Sequence, residues 1–342
     1  MQLTALVEQV EHVCCRYRLT AFQPALAAAG ISLNLIALPK SLLARLRLYR
    51  EMANVDGVVL QRTLLSRFEL SFLRSHAKQL LFDFDDAIWL RDSYAANSKS
   101  HKRERRFRQT LRVADRVFAG NDFLAATAKR YNANVTVVPT CVGFPEREVS
   151  PPRVEVSHGG LTPPAQQKTT LVWVGSSSTL QSLERIRPIL QTLGQRVPGL
   201  KLKLICDRFA TFDPLPVENV TWHSETETDK IASSDIGIAW MPDDDWSRGK
   251  CGLKVLQYMA AGLPVIANAV GVHSQMIRHG ETGFLAETVE DWTRAVTILK
   301  DNNLRQRLGD AGHKAVERDY SVSVGARRWI NALQTPALRA AC

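Results

Sequence analysis

The chain has 342 residues, 45% of them hydrophobic and 23% charged, which is ordinary for a globular protein and long enough for two domains with separate cores. No run of about 18 uncharged apolar residues occurs, so no membrane span is expected. The net charge of +10 lies mostly in residues 1–150, where 22 Lys plus Arg face 14 Asp plus Glu, and it points to an anionic partner.

Chain order gives an alternation of strands and helices. Leu3–Val10 reads as a strand, Leu19–Ala29 as a helix closed by Gly30, Ser32–Leu38 as a strand and Ser41–Met52 as a helix. Val58–Arg62, Gln79–Phe84, Arg116–Gly120 and Val135–Pro139 read as further strands with helices between them. Short apolar strands alternating with helices imply a parallel sheet covered on both faces. Glu146–Lys168, with two Pro-Pro pairs and a Gly-Gly, reads as a linker or irregular segment. The alternation resumes with strand Thr169–Gly175, helix Ser177–Arg196 and strands Lys201–Cys206, Val220–His223 and Ile236–Trp240. A helix ending at Gly262, strand Pro264–Asn268 and helices near 272–279, 289–300, 302–317 and 324–335 complete the pattern. The expected fold is α/β: two doubly wound Rossmann-like domains facing a cleft, at 1–145 and 169–320, with 146–168 between them. Ligands of such sheets bind at the carboxyl ends of the strands.

The start MQLTALVEQVEH lacks the basic and apolar zones of a secretory leader, and none of the six cysteines (14, 15, 141, 206, 251 and 342) forms a CxxC pair. A cytoplasmic protein with reduced thiols and no metal site is therefore expected. No zinc-finger, RNP or basic-zipper pattern accompanies the positive charge, so nucleic acid is not an expected partner. The basic amphipathic stretches Ser41–Met52 and Lys99–Arg112 read instead as elements for an anionic membrane surface, or as solvated helix faces.

Chemistry concentrates in SRGKCGLKVLQYMAAGLPVIA, Ser247–Ala267. Arg248, Lys250 and Lys254 crowd the start of a helix, where the backbone already carries about half a positive charge. Bound diphosphate would reverse that penalty, and Gly249 and Gly252 would permit close backbone approach. The plainer alternative is that the basic side chains splay into solvent. In WVGSSSTL, Trp173–Leu180, a strand runs into a glycine turn and a hydroxyl-rich helix start. The amides of Gly175 and Ser176 there are candidates for the same phosphate, or the hydroxyls simply cap the helix. The absence of G-x-G-x-x-G argues against a dinucleotide dehydrogenase. LFDFDDAIWL ends a strand with Asp83, Asp85 and Asp86, which are costly to bury without a task. They read as a metal-binding Asp-x-Asp, an acceptor-positioning group, or a cap.

CGLKVLQYMAAGLPVIANAVG followed by IRHGETGFLAETVEDW resembles the donor-binding signature of the group 1 (family four) glycosyltransferases of GT-B architecture. The turn appears as Ala261, Gly262 and Pro264, and the later segment as Gly280, Gly283, Phe284 and Leu285. The resemblance covers most of 171–333 and is visible in CCRYRLTAFQPALAAAGI, LFDFDDAIW and VFAGNDFLAATAKRY; the GKCGLKxLQYMA form looks like a subgroup. Where the family carries a Glu pair, this chain has Gly249 and Gln257.

The resemblance implies transfer of a sugar from a nucleotide-diphosphate sugar to a glycan or lipid-linked acceptor. It also implies retention of configuration, no cofactor or divalent metal, and a setting in cell-surface polysaccharide or lipopolysaccharide assembly. Gly175, Ser176, Arg248, Lys250, Gly252, Lys254 and Gln257 are the expected donor-binding residues, with Gln257 on the ribose. Lys254, Asp85 and Asp86 are the catalytic candidates, and Arg16, Arg18 and Asn121 lie on the acceptor side, with Thr140 beside them. The helix in 321–342 is expected to cross back to the first domain, and the basic first domain to rest on the inner face of the membrane. The alternative is a non-catalytic sugar-nucleotide or glycan-binding partner in a biosynthetic complex.

Overall fold

The computed structural model describes residues 1–144 and 168–336, so the expected linker, apart from Lys168, and Cys342 lie outside the described residues. The chain divides into two units. One comprises residues 1–142, 243–251 and 320–342; the other comprises 143–242 and 252–319.

The first unit begins β1 (Gln2–Val7), α1 (Val13–Arg18), α2 (Gln23–Ala28), β2 (Ser32–Ala37), α3 (Leu42–Glu51), β3 (Gly57–Gln61), α4 (Arg67–His76) and β4 (Leu80–Phe84). It continues through α5 (His101–Val113), β5 (Arg116–Ala119), α6 (Asp122–Lys129) and β6 (Val135–Val137). The strands form one six-stranded parallel sheet in the order β2-β1-β3-β4-β5-β6. The single helix expected over 19–29 is instead a 3-10 turn at Thr20–Phe22 followed by α2. Pro24, with no N–H to donate, fits only the first turn of a helix, so the helix restarts around it.

Period-two alternation sends successive strand residues to opposite faces. In β4, Leu80, Phe82 and Phe84 join a core under α3 to α6 with Leu48, Leu73, Phe107, Leu111 and Leu124. Leu81 faces the other way, into a core with Leu19, Phe22, Leu26 and Phe118. Asp83 shares that second face by the same alternation, which is why a carboxylate ends up inside the molecule.

In the second unit, β7 (Thr169–Val174), α7 (Ser177–Arg185), α8 (Arg187–Arg196), β8 (Leu200–Cys206), β9 (Val217–Thr221), α9 (Glu227–Ala232) and β10 (Ile236–Ala239) come first. The chain then contributes α10 (Asp245–Arg248) to the first unit. It resumes with α11 (Leu253–Ala260), β11 (Val265–Ala267), α12 (His273–Met276), β12 (Gly283–Leu285), α13 (Val289–Ile298) and α14 (Asn302–Tyr320). The sheet is again parallel and six-stranded, in the order β12-β11-β10-β7-β8-β9. The helix expected over 177–196 is broken at Ile186 because Pro188 begins a new one. Gly237 in β10 leaves room for the Tyr258 ring of α11, since a Cβ there would fall 2.3 Å from Tyr258 Cγ. The buried Tyr258 hydroxyl accepts the Val174 N–H at 3.0 Å, which fixes α11 against the end of β7.

α15 (Val322–Gln334) belongs to the first unit. Trp329 is fully buried and stacks on Phe118 of β5 with ring centroids 4.1 Å apart. Trp329→Ala is expected to destabilise the first unit by about 3–5 kcal/mol, read as a lower urea midpoint. A loss under about 1 kcal/mol would show that α15 is only loosely docked on this sheet.

Candidate active site

At the carboxyl end of β4, Asp83, Asp85 and Asp86 are all buried within four residues of sequence. Each finds cations from elsewhere in the first unit. Arg18, the last residue of α1, points into the core and donates to Asp83 from Nε at 3.0 Å and Nη2 at 2.5 Å, and to the Val138 carbonyl from Nη1 at 2.8 Å. Both members of this pair are 0% exposed; burial pushes the Asp83 carboxyl up against the opposing pull of the Arg18 guanidinium. Arg62, just after β3, pairs with Asp86 and with Asp85 Oδ1 at 3.2 Å, and its guanidinium also meets the Cys14 thiol. Lys250 Nζ lies 3.0 Å from Asp86 Oδ1 and 4.6 Å from the Trp246 ring centroid. Burial alone would raise Asp85, but Arg62, Arg18 and Lys250 together outweigh it and hold the carboxyl below its ordinary range. The thiols of Cys14 and Cys251 go the other way, raised by burial and by Asp85, so both stay protonated.

The segment 249–251 is seated directly on these strand ends. A Cβ at Gly249 would fall 2.7 Å from Ala87 Cβ and 2.8 Å from its backbone nitrogen. The position where the resembling family carries Glu therefore has room only for hydrogen. Asn121, the N-cap of α6, accepts the Leu124 N–H at 2.9 Å and donates to the carbonyls of Arg248 and Lys250 at 3.2 and 3.0 Å. The Cys251 thiol donates to the Asp85 carbonyl at 3.1 Å.

In the second unit, β7 runs into Gly175 and then α7. A Cβ at Gly175 would fall 2.4 Å from the Trp173 ring and 2.6 Å from Thr179 Oγ1, so only glycine fits. Lys254, in the first turn of α11, reaches the same place: its amine is 3.5 Å from Thr179 Oγ1 and 5.0 Å from the Trp173 ring centroid. One lysine of α11 thus reaches the first turn of α7. Gln257 is half-buried one turn further along α11. Gly252 caps α11 with φ +66°, and a Cβ there would fall 2.8 Å from Met276 Sδ. His273 is buried; its Nδ1–H donates to the Asn268 carbonyl at 3.1 Å. Burial, and secondarily the Lys254 charge, hold the imidazole down at about 4 against that hydrogen bond.

Several expectations change. Arg248 and Lys250 fall in the first unit and Lys254 in the second; Arg248 pairs with Asp243 at 2.9 Å and Asp245 at 3.3 Å, and Lys250 with Asp86. The Gly175 amide is spent on the Ile205 carbonyl at 3.0 Å, and the Ser176 amide on Thr179 Oγ1 at 3.2 Å, so neither donates to a phosphate in this arrangement. Arg18 is sealed in the core and Asn121 has its amide committed, so both position other groups instead of touching an acceptor; Thr140 is buried beside them. Arg16 is half-buried and bonds the Tyr17 hydroxyl at 2.7 Å. Asp85, Asp86 and Lys250 do come together, and Arg62, which joins them, carries no motif that would single it out in the sequence. Among the described residues, no group of three or more His, Cys, Asp or Glu side chains is placed to hold a metal ion, and no helix is long and apolar enough to cross a membrane.

The fold is the one found in solved GT-B glycosyltransferases. It is similar to sucrose-phosphate synthase from Thermosynechococcus elongatus (TM-score 0.69, 15% identity, covering 97% of this chain and 98% of that one). It is also similar to a glycosyltransferase from Rickettsia africae (0.69, 13%, 98% and 99%) and to Anabaena Alr3699/HepE, solved with UDP and glucose (0.64, 13%, 97% and 99%). Residues 182–302 match the family described as glycosyl transferases group 1. In sequence the chain is similar to N-acetyl-alpha-D-glucosaminyl L-malate synthase of Bacillus anthracis, 25% identical over 158 residues, 42% of this chain and 40% of the relative. It is 28% identical over 179 residues to the sulfoquinovosyl transferase SQD2 of Arabidopsis thaliana, 48% of this chain and 32% of the relative. The matched stretch thus spans less than half the length of these curated relatives.

The buried His273 makes stability depend on pH. Its folded value of about 4 lies below the ordinary 6.5, so the neutral ring favours the fold above 6.5 and that contribution is lost as pH falls towards 4. The wild type is expected to lose up to about 3 kcal/mol through this group. His273→Gln should flatten the fall between pH 6.5 and about 4.5 in urea titrations. Parallel pH profiles for the two proteins would mean that His273 is not held neutral by the fold.

Proposed function

We propose that the chain is a glycosyltransferase that takes a sugar from a nucleotide-diphosphate sugar and moves it to a hydroxyl-bearing acceptor, a glycan or a lipid-linked glycan. The observation that carries this reading is the convergence of Lys254 with the start of α7 beside Thr179 and Trp173. Departure of a nucleoside diphosphate builds negative charge on the leaving oxygen. A lysine amine held beside the first turn of α7 would stabilise that charge more in the transition state than in the bound donor. The hydroxyls of Ser176 and Ser178, 2.8 Å apart at the exposed start of α7, offer further donors, and Gln257 offers both a donor and an acceptor to the ribose. On this reading Asp85 and Asp86 serve the acceptor side. The match of residues 182–302 and the UDP complexes of the Anabaena protein support a nucleotide-sugar donor and make UDP the first nucleotide to try. Retention of configuration, independence of metal, a cytoplasmic setting and a place in cell-surface polysaccharide or lipopolysaccharide assembly belong to the same proposal.

The first unit is proposed to meet an anionic membrane. On α3 and α4, Leu43 is 71% exposed and Phe68 60%, and exposed Lys102, Arg103 and Arg105 begin α5. Apolar side chains flanked by cations suit a lipid interface, with about 1 kcal/mol for each cation near an anionic leaflet.

Two measurements test these readings. UDP should raise the melting temperature of the wild type, and Lys254→Ala should abolish the rise together with slow donor hydrolysis; if UDP, GDP, CDP and ADP and their sugars all leave the melting point unmoved, the donor assignment fails. Binding lost in Lys254→Ala with no hydrolysis by the wild type would favour the non-catalytic alternative. Separately, the protein should sediment with phosphatidylglycerol vesicles and not with phosphatidylcholine ones, and Leu43→Ser with Phe68→Ser should weaken this several-fold. Equal recovery with both vesicle types, or with neither, removes the membrane proposal.

A further inference from the structure

Helix α5 carries six Lys and Arg residues and a single acid, Glu104. Its rotation is fixed by Phe107, which is buried with its ring 5.2 Å from Phe84 and 4.7 Å from Trp89, centroid to centroid. With Phe107 anchored, Arg105, Arg106 and Gln109 meet Ser66 and Arg67 of the α4 start around a pocket of about 270 Å³. Gln109 lies one helical turn beyond the two arginines and so shares their side of α5.

The lining of this pocket holds three guanidiniums and no acid. The one acid of each helix is engaged with other groups. Glu69 accepts from the Ser66 hydroxyl at 2.6 Å and from Arg45 at 3.0 Å, and Glu104 lies 4.0 Å from Arg108. Arg106 Nη1 donates to the Leu64 carbonyl at 3.1 Å, which holds that guanidinium in place. Among the described residues, no acceptor is paired with the Arg67 or Arg105 side chain, and both are exposed, so a ligand reaches them from solvent. Like charges gathered around one hollow repel one another, and an anion seated among them removes that cost. Guanidinium forks match the oxygens of a phosphate. A phosphomonoester brings up to about two negative charges and three terminal oxygens, and a carboxylate or a phosphodiester brings fewer of both.

We propose that the pocket between α4 and α5 is a binding site for a phosphomonoester, held by Arg67, Arg105 and Arg106 with the Gln109 amide as a further donor. The phosphate comes from a lipid headgroup or from a soluble phosphate. The site rests neither on the donor reading, which concerns Lys254 of the second unit, nor on insertion of Leu43 and Phe68 into a bilayer.

The test follows the side-chain Nε–H signals of Arg67, Arg105 and Arg106 by NMR in full-length protein, with inorganic phosphate as the probe and acetate at equal ionic strength as the control. Phosphate should shift all three signals and acetate should not. Arg67→Gln and Arg106→Gln should each weaken phosphate binding roughly tenfold. Lys129→Gln, which removes the same charge from the exposed end of α6, should change it by no more than about twofold. Lys254→Ala should leave the three shifts as they are. Vesicles separate the two sources: recovery with phosphatidic acid well above that with phosphatidylglycerol at matched surface charge, lost in Arg67→Gln, assigns a lipid headgroup. Equal recovery with both, with the phosphate shifts intact, assigns a soluble phosphate. No shift with phosphate, or the same shift with acetate, overturns the proposal. So does a phosphate response that survives Arg67→Gln and Arg106→Gln but disappears in Lys254→Ala, because the anion then sits in the second unit.

Discussion

Everything in the first unit's site follows from the burial of three carboxylates at the end of one strand. Removing an ion from water costs several kcal/mol even after relaxation, so each must be met by a cation with good geometry. The strand's alternation sends Asp83 into the core, where the α1 arginine meets it through Nε and Nη2. The next two acids emerge at the strand end, where Arg62 and Lys250 neutralise them. These cations come from three separate stretches, so neutralisation also staples α1, the β3 turn and the 243–251 segment to β4. That last segment would otherwise be a visitor from the far half of the sequence. Asn121 and the Cys251 thiol hold it by its backbone and by Asp85, and Gly249 allows the close seating.

The second unit solves a different problem. Here Asp207, just after β8, takes the Ser177 N–H at 2.5 Å and the Ser177 hydroxyl at 2.9 Å and so caps the start of α7. Lys254 of α11 brings a cation beside that start, fitted against an aromatic ring and a threonine hydroxyl. The placement of that amine depends on a rigid framework. The Tyr258 hydroxyl on the Val174 N–H, with the ring lodged over Gly237, supplies that rigidity by locking α11 to β7. Because the neighbouring His273 is held neutral, it adds no competing charge.

Much of this was legible in the sequence, and the parts that were not share a cause. Strands β1, β3, β4, β5 and β7 announce themselves as short apolar runs, and their alternation with helices leads to parallel sheets. Pro24 and Pro188 were visible too, but a continuous apolar pattern around them conceals the break that a missing N–H forces. Asp85, Asp86 and Lys254 stand out because charge at a strand end or helix start is expensive. Arg62 does not, because nothing in QRTLL betrays a left-handed backbone. Arg18 and Arg16 look alike in CCRYRL, and only the turn of α1 decides that one is sealed inside and the other is not. The amides of Gly175 and Ser176 were plausible phosphate donors until their partners, a sheet carbonyl and a threonine hydroxyl, were known.

The departure at position 249 then has a physical reading. A glutamate there would have to place its Cβ within 2.8 Å of the Ala87 backbone, which no rotamer relieves. It would also bring another negative charge to a cluster that Arg62 and Lys250 neutralise in full. Glycine at 249 and lysine at 250 are therefore two sides of one arrangement: the first lets the segment descend onto the strand end, and the second supplies the cation that the descended segment must carry. The acidic groups of this site come from the carboxyl end of β4, a central strand paired on both sides, rather than from the 249 position, so the framework of the sheet fixes where they stand.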